Sequence, residues 1–367
     1  MRLAALRLRL TAAALSVFAS VFALAAPVSA AECVGQDLIA RMDPDQRAAL
    51  DAAVEGVPFR HGLFWEARKD DMRLTLIGTY HFGDPRHDAV LDRFGPMIDE
   101  ADRLLVEAGP QEMARLQQAM IDDPNLLMDQ DGPTLPERLA PGEWDSVSQT
   151  MGARGIPAFV VSKMRPWYVS MMMGLSPCML QQVAETGKTG GLDQLLMDRA
   201  EISDTPIAAL EPWDTLFSLF QGLTPDEEIE MIVAALPAAE HADDYGTTLV
   251  NAYFQQDVWR IWEFGRIDAY ENSGLPRDRI DQQFVLAQTK MMDERNESWI
   301  APLTDAARQA AERQAADKQA ADKRVGGHVI AAFGALHLPG EKGVLNLLQQ
   351  DGWTLTRLNL NLPDRAN

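Results

Sequence analysis

Six short runs of apolar residues are each bounded by glycine, proline or charged residues, and this pattern predicts β-strands. The runs cover residues 63–67, 73–77, 103–106, 206–210, 329–333 and 353–358. Helical patterns separate most of them, including residues 88–101, 111–120 and 141–151. Strands interspersed with helices predict an α/β (mixed α+β) fold, with a central mixed sheet flanked by helices.

The middle of the chain, residues 214–299, has an almost entirely helical pattern. Thr224 followed by Pro225 and two acidic residues is typical of a helix start. Residues 164–186 carry several methionines and are expected to be largely buried. Residues 306–323 are rich in Ala, Gln, Asp and Lys with little apolar stripe, which predicts a solvated helix. Since no linker divides the chain, we expect residues 31–367 to form one domain with a helical insertion at about 214–325.

The first thirty residues have the pattern of a signal peptide. Arg2, Arg7 and Arg9 are basic, residues 10–26 are mostly apolar, and residues 28–30 are small. An N-terminal membrane anchor is the alternative, because the apolar run of about 17 residues borders on spanning length. The small residues favour cleavage after Ala30. The expected mature chain is therefore periplasmic or secreted, with no membrane span.

Charge and cysteine content narrow the possible partners and the compartment. The formal net charge of −21 argues against nucleic acid and anionic membranes, which attract clustered Lys and Arg. The hydrophobic fraction of 47% excludes a disordered chain. The two cysteines, Cys33 and Cys178, are expected to pair in an oxidising compartment, with two unpaired buried thiols as the alternative.

The most informative feature is a strand, Gly-x-x-His and turn unit that occurs twice. Residues 73–77 lead into Gly78-Thr79-Tyr80-His81, and residues 329–333 lead into Gly334-Ala335-Leu336-His337. A single histidine of this kind is more often structural. Two in matched contexts predict that His81 and His337 meet at the carboxyl ends of their strands, where open α/β sheets place ligand sites.

Two carboxylates end apolar runs in the same way and extend the candidate site. Glu107 follows residues 104–106, and Glu211 follows residues 208–210. A carboxylate there costs free energy unless it is paired or bound to a metal, so a salt bridge to an arginine or a helix cap is the structural alternative. Two imidazoles with one or two carboxylates suit a divalent metal such as Mn, Co or Zn. Such a metal activates a bound water.

Other short motifs add less. His-Glu-x-x-His and Gly-x-Ser-x-Gly are both absent, which argues against the common zinc-protease helix and against a serine hydrolase. Arg295 lies near the end of the helical region. It could bind a substrate carboxylate or steady an oxyanion, and its alternative is a surface ion pair with Asp293 or Glu294. His87 could lie behind the site, whereas His61, His241 and His328 are expected to be surface or packing histidines without a functional role.

In combination, these motifs resemble the TraB/PrgY/GumN family, which includes the TIKI metalloproteases of animals. The resemblance covers about residues 62–358. It rests on 76–81 (LIGTYH), 105–107 (LVE), 191–193 (GLD), 209–211 (ALE), 295–296 (RN) with Trp299, and 334–340 (GALHLPG) with Gly343. It implies a mixed α/β fold in which His81 and His337 bind a divalent metal. It also implies that Glu107 is a ligand or general base and that Arg295 contacts the substrate or transition state.

These observations together predict an exported metal-dependent hydrolase that cleaves a peptide or a small amide-containing substrate. The predicted metal ligands are His81, His337, Glu107 and Glu211; Glu107 takes a proton from water and Arg295 stabilises the oxyanion. The alternative is a non-catalytic periplasmic protein that binds metal, haem or peptide. A purely structural envelope protein leaves the repeated histidine units unexplained. No oligomeric state is predicted.

Overall fold

A computed structural model of the chain describes residues 33, 35–187, 189–220, 222–319 and 327–362. All of the helices and strands below belong to one compact unit, Val34–Asn367. The predicted signal peptide and the last residues of the predicted insertion lie outside the described residues. None of the described helices combines the length and the apolar character that a membrane crossing requires.

A six-stranded mixed sheet forms the centre of the fold. Its strands are β1 Phe64–Lys69, β2 Met72–Thr79, β3 Arg103–Val106, β4 Ile207–Ala209, β5 Val329–Gly334 and β6 Thr354–Arg357. The order across the sheet is β4-β3-β5-β2-β1-β6. The four strands β4, β3, β5 and β2 run parallel, whereas β1 pairs antiparallel with both β2 and β6. All six predicted strands and the mixed sheet are confirmed, because a short apolar run with flanking turn or charged residues marked each of them.

Helices make up most of the rest of the described chain. They are α1 Leu38–Arg41, α2 Pro44–Val54, α3 His87–Asp99, α4 Pro110–Asp122, α5 Leu135–Arg138, α6 Pro141–Ala153, α7 Ala158–Val161, α8 Pro166–Met173, α9 Pro177–Thr186, α10 Leu192–Ile202, α11 Thr215–Leu219, α12 Pro225–Glu240, α13 Ala242–Phe254, α14 Trp259–Asn272, α15 Arg277–Gln288, α16 Glu294–Gln319 and α17 Val344–Gln350. Short 3₁₀ turns cover Pro124–Leu126 and Ala335–His337, and a π-helical turn covers Thr289–Asp293.

The predicted helical region in the middle of the chain is confirmed, and its clearest start is at α12. Thr224 is the N-cap: its hydroxyl accepts a hydrogen bond from the Glu227 amide at 3.3 Å, and its own amide donates to the Glu227 carboxylate at 2.7 Å. Pro225 occupies the first helical position. This reciprocal cap satisfies amides that the first turn leaves without partners, so the local sequence alone defines the start.

The centre of the sheet is buried on both faces, as is usual for parallel strands. Along β5, Ile330 and Ala332 face a core that includes residues of α3 and α10, whereas Val329, Ala331 and Phe333 face a core that includes residues of α16 and α17. Every one of these five side chains is at most 1% exposed. The carboxyl-terminal end of β5 is therefore rigidly placed at the centre of the sheet.

Two burial predictions are wrong in part. The helix expected to be solvated, residues 306–323, belongs largely to α16, and Ala306, Ala307 and Ala310 are buried in the core beneath the sheet. Alanine side chains are too small to produce a visible apolar stripe, yet they allow a helix to pack closely. In the methionine-rich segment, Met173 is buried as expected, but Met171 is 37% exposed.

The two cysteines are both disulfide-bonded. Since Cys33 and Cys178 are the two cysteines of the chain, their predicted pairing is confirmed. Disulfides persist in oxidising compartments and are rare in the cytosol, so the bond is typical of an extracellular or periplasmic protein.

Candidate active site at the carboxyl ends of the strands

Four predicted site residues lie just beyond the carboxyl ends of the four parallel strands. His81 follows β2, Glu107 follows β3, Glu211 follows β4, and His337 ends the 3₁₀ turn after β5. Because the strands are neighbours and run parallel, their carboxyl ends share one edge of the sheet. The sheet itself therefore collects residues that are up to 256 positions apart in the chain.

Gly334 lies between these side chains. A Cβ atom at this position would lie 3.1 Å from Glu107 Oε1, 3.4 Å from His81 Nε2 and 3.6 Å from His337 Cδ2. The Gly334 amide also donates a hydrogen bond to Glu107 Oε1 at 2.5 Å. Glycine is needed here because any side chain would press on the groups of the site. The two histidines, as expected from their matched units, are brought to one place.

Arg295, from the start of α16, joins the two carboxylates. Its Nη2 donates to Glu107 Oε2 and to Glu211 Oε1, both at 2.7 Å, and its Nε donates to Glu211 Oε2 at 2.9 Å. The alternative expected for both glutamates, a salt bridge to an arginine, is therefore what forms. The surface ion pair expected for Arg295 does not form with Glu294, which pairs with Lys290 instead.

His81 is the solvent-exposed, positively charged imidazole of the site. Its Nδ1 lies 3.2 Å from Asp193 Oδ1, and 55% of its side chain is exposed. Desolvation alone would lower the pKa of His81, but the hydrogen bond and charge of Asp193, with the charge of Glu107, outweigh it and raise the pKa to about 9. His81 is therefore protonated at neutral pH.

His337 is the buried, neutral imidazole of the site. Asn296 donates from Nδ2 to the Lys342 carbonyl at 3.0 Å, so its Oδ1 faces His337 and accepts from His337 Nδ1 at 2.6 Å. His337 Nε2 is then the acceptor for Arg295 Nη1 at 3.3 Å. Burial is the main reason that the pKa of His337 falls to about 3, and the positive charge of Arg295 acts in the same direction.

The two carboxylates differ as well. Burial would raise the pKa of Glu107, but the positive charges of His337, His81 and Arg295 and the Gly334 amide lower it to about 2. His337 contributes to this lowering only in acid, because it is neutral at neutral pH. Burial, the largest effect, raises the pKa of Glu211, although Arg295 opposes it. Glu107 is thus the more firmly ionised carboxylate at the edge.

Sequence reasoning assigned no role to Asp193 and Asn296, although both stood within motifs of the family resemblance. Asp193 is 112 positions from His81, and Asn296 is 41 positions from His337. Each lies in the first turn of a helix, α10 or α16, that the fold brings to a histidine. The motif GLD and the pair RN were the available signals, but neither reveals which histidine it contacts.

His87 and His328 make their ring contacts outside the Arg295 network. His87 is buried between the rings of Tyr80, Tyr253 and Phe254 at 5.6 to 6.3 Å between ring centroids. His328 precedes β5, at the opposite end of the strand from His337, and its Nε2 lies 2.8 Å from the Thr75 hydroxyl. Both histidines are buried.

The predicted metal ligands do not form a coordination group in this arrangement. Within the described ranges, no cluster of three or more His, Cys, Asp and Glu side chains could hold a metal ion. The physical reason is Arg295, whose guanidinium occupies the carboxylates of Glu107 and Glu211 and one ring nitrogen of His337. The described side chains instead form a charge network around an arginine, and metal binding stays a prediction.

Comparison with known proteins agrees with the motifs. The model of the TraB/PrgY/gumN family matches residues 63–357, a range that includes all six strands and every residue of the candidate site. No curated protein matches the chain.

Proposed function

Since the chain belongs to the TraB/PrgY/gumN family, we propose that it is an exported hydrolase of peptide or amide bonds. The observation that carries this proposal is the convergence of an imidazolium, an ionised carboxylate and a guanidinium at one edge of the sheet. His81, Glu107 and Arg295 supply these groups within contact of Gly334 or of each other. Hydrolysis of an amide needs a base for water, an acid for the leaving nitrogen and positive charge at the oxyanion.

The proposed roles follow from the charge of each group. Arg295 binds the carbonyl oxygen of the substrate and stabilises its developing negative charge. As its guanidinium turns to that oxygen, the ion pair with Glu107 weakens, the basicity of Glu107 rises, and Glu107 takes a proton from water. His81, kept protonated by Asp193, donates a proton to the leaving nitrogen. Neutral His337 accepts a hydrogen bond from Arg295 and so positions the guanidinium.

The metal implied by the family resemblance is a separate proposal. Bound Mn, Co or Zn would supply an activated water, and His81, His337, Glu107 and Glu211 are the residues that would hold it. In the arrangement described above, Arg295 competes for three of these four side chains. None of the roles given to His81, Glu107 or Arg295 therefore depends on a metal.

The deciding experiment combines turnover with metal content on the mature protein. A library of labelled peptides is incubated with the native protein and with His81→Ala, His337→Ala and Glu107→Gln, and metal is measured by elemental analysis. His61→Ala is the matched control, because its side chain is equally exposed at 55% but lies outside the site. We expect fragments from the native protein and the control, and a loss of at least about 100-fold in the other variants.

The outcomes separate the two proposals. About one equivalent of metal that is lost in both histidine variants would support a metal-dependent hydrolase. Cleavage by metal-free protein that still requires Glu107 would support the arginine-centred mechanism. Full activity in either histidine variant would contradict both.

One observation favours the alternative of a peptide-binding protein without catalysis. Neither of the two candidate proton-transfer groups has a pKa near neutrality: it is about 2 for Glu107 and about 9 for His81. Efficient general acids and bases usually have a pKa near the working pH. Saturable binding of a peptide that is recovered intact would support this alternative.

A further inference from the structure

A cavity in the helical region is lined almost entirely by apolar side chains. Its volume is about 370 Å³, and its walls come from α8, α11, α12, α14, α15 and the π-helical turn. Representative wall residues are Trp167, Leu216, Phe220, Ala234, Phe284 and Met291. We call it the apolar pocket. Cavities of roughly 300–1,000 Å³ with apolar walls are typical of small-molecule and side-chain binding sites.

The apolar pocket is connected to the candidate active site through the π-helical turn. Met291 lines the pocket, and its carbonyl accepts a hydrogen bond from Arg295 Nη1 at 3.0 Å. Single π-helical turns within helices occur frequently at functional sites. A ligand in the pocket therefore lies against the turn that holds the guanidinium of the site.

A second connection runs through the segment after β4. Glu211 of the active site is followed by Trp213, whose ring packs edge-on against Phe217 of α11 at 6.3 Å between centroids. The next residues of α11, including Leu216 and Leu219, line the pocket. Two separate segments thus each carry one active-site residue and one wall of the pocket.

The walls are rigid at the base and adaptable at the rim. Trp167 is 5% exposed and stacks on Phe220 at 5.0 Å between ring centroids. At the rim, Met171 and Met291 are 37% and 44% exposed. Methionine side chains adapt to differently shaped apolar groups. A pocket with a preformed floor and a methionine rim can therefore accept apolar groups of several shapes.

Two of the three polar side chains at the walls, Lys290 and Gln283, have partners of their own, whereas the buried hydroxyl of Ser170 has none among the described residues. Lys290 pairs with Glu294 at 2.8 Å, and Gln283 donates to Glu230 at 3.1 Å. A charged ligand would have to displace one of these contacts, whereas an uncharged apolar group would not. Burial of apolar surface is then the main source of binding free energy, roughly 25 cal/mol for each Å² removed from water.

We propose that the apolar pocket binds a large apolar side chain or acyl group of the substrate, adjacent to the bond presented to Arg295. This inference rests on the proposed hydrolase function and adds its substrate class: peptides or amides with an aromatic or long aliphatic group beside the cleaved bond.

The first test measures binding without catalysis. Fluorescence of N-phenyl-1-naphthylamine, an uncharged apolar probe, is titrated with native protein and with Ala287→Trp and Ala234→Phe, which fill the pocket from α15 and α12. Val285→Trp is the matched control, because Val285 lies two positions from Ala287 on the same helix and is 62% exposed. We expect the dissociation constant to rise at least tenfold in both filling variants and to change less than twofold in the control.

The second test measures selectivity with peptides that differ at one residue, phenylalanine or glycine. We expect Ala287→Trp to lower kcat/KM for the phenylalanine peptide at least tenfold and to leave the glycine peptide unchanged. Equal probe binding by native protein and both filling variants would overturn the pocket proposal. So would displacement of the probe as the protein concentration rises with formation of a dimer, because a second copy would then cover the pocket.

The two proposals fail in different ways. If the native protein binds the probe, loses it in both filling variants and cleaves no peptide, the apolar site stands and the hydrolase proposal is contradicted. If the native protein cleaves both peptides equally well and the filling variants do the same, the hydrolase stands and the pocket has no role in substrate selection.

Discussion

The two Gly-x-x-His units have the same local sequence pattern and lie on neighbouring parallel strands, yet their histidines are in opposite states. His81 is 55% exposed and protonated at neutral pH, whereas the side chain of His337 is 7% exposed and neutral. The difference comes from burial, which is the main reason for the low pKa of His337, and from the residue opposite each Nδ1 atom. A charged carboxylate, Asp193, faces His81, and an uncharged amide, Asn296, faces His337.

The comparison shows how a repeated motif supplies two different chemical groups. The motif fixes where each imidazole lies relative to its strand. The hydrogen-bond partner and the degree of burial then determine whether each imidazole is protonated, because a carboxylate stabilises the imidazolium and desolvation destabilises it. One unit can therefore act as an acid while the other positions Arg295.

The largest expected effect comes from removing Arg295, which hydrogen-bonds to His337 but not to His81. Arg295→Met removes the guanidinium that pairs with both Glu107 and Glu211, so we expect a loss of about 3 kcal/mol in unfolding free energy. The pKa of His337 should also rise, because the nearby positive charge is gone. Denaturant unfolding and NMR titration of the imidazole check the two results.

Arg308→Met is the matched control for this substitution. Arg308 lies on the same helix and pairs with Asp305 and Glu312, but 51% of its side chain is exposed. Exposed pairs of this kind contribute less than about 1 kcal/mol. Equal destabilisation by the two substitutions would show that the Arg295 network is no stronger than a surface ion pair.

The pH dependence of stability should have two limbs, one for each histidine. The folded protein disfavours protonated His337, whose pKa is lowered from 6.5 to about 3, so this histidine reduces stability as the pH falls below 6.5. The folded protein favours protonated His81, whose pKa is raised to about 9, so its contribution is present below pH 6.5 and is lost as the pH rises to 9.

Single substitutions test which histidine causes the loss of stability in acid and which causes the loss in alkali. In urea unfolding between pH 4 and 9, His337→Gln should reduce the acidic loss of stability and His81→Gln should reduce the alkaline loss. The acidic effect should be the larger, because His337 is buried and His81 is half exposed to solvent. Buried His87 and His328, with pKa values lowered to about 4, add to the acidic limb in every variant and cancel in the difference. If the two variants had the same pH dependence of unfolding free energy as the native protein, the assignment would be refuted.

Asn296→Asp should make His337 resemble His81. The new carboxylate accepts from Nδ1 and stabilises the imidazolium, so we expect the pKa of His337 to rise by at least about one unit, a tenfold change in its protonation equilibrium. NMR titration of the imidazole measures the shift. Asn346→Asp on α17 adds the same charge where the amide contacts the Glu341 carbonyl, and it should have a much smaller effect.

The smallest expected effect is that of the reciprocal substitution, Asp193→Asn. The pKa of His81 should fall, and unfolding free energy should change by less than about 1 kcal/mol because solvent screens this half-exposed pair. Asp198→Asn lies on the same helix and serves as the control. A pKa of His81 that stays at its native value would mean that Asp193 does not keep the imidazole protonated.

Much of the fold could be predicted because its signals are local. Six apolar runs with flanking turn residues indicated six strands, and Thr224 with Pro225 indicated the start of α12. The burial of the alanines of α16 was not predicted, because small side chains do not produce a clear apolar stripe in the sequence. The opposite error at Met171 arose because an apolar residue at a pocket rim has the same pattern as one in a core.

The sequence by itself determined which groups reach the site: His81, Glu107, Glu211 and His337 each follow a strand, and parallel strands end at one edge. Only the tertiary structure decided how those groups are paired. Arg295, Asp193 and Asn296 come from helices whose first turns meet the sheet only after folding. Charge and burial are properties of that assembled neighbourhood, and the protonation states on which the chemistry depends therefore cannot be obtained from spacing along the chain.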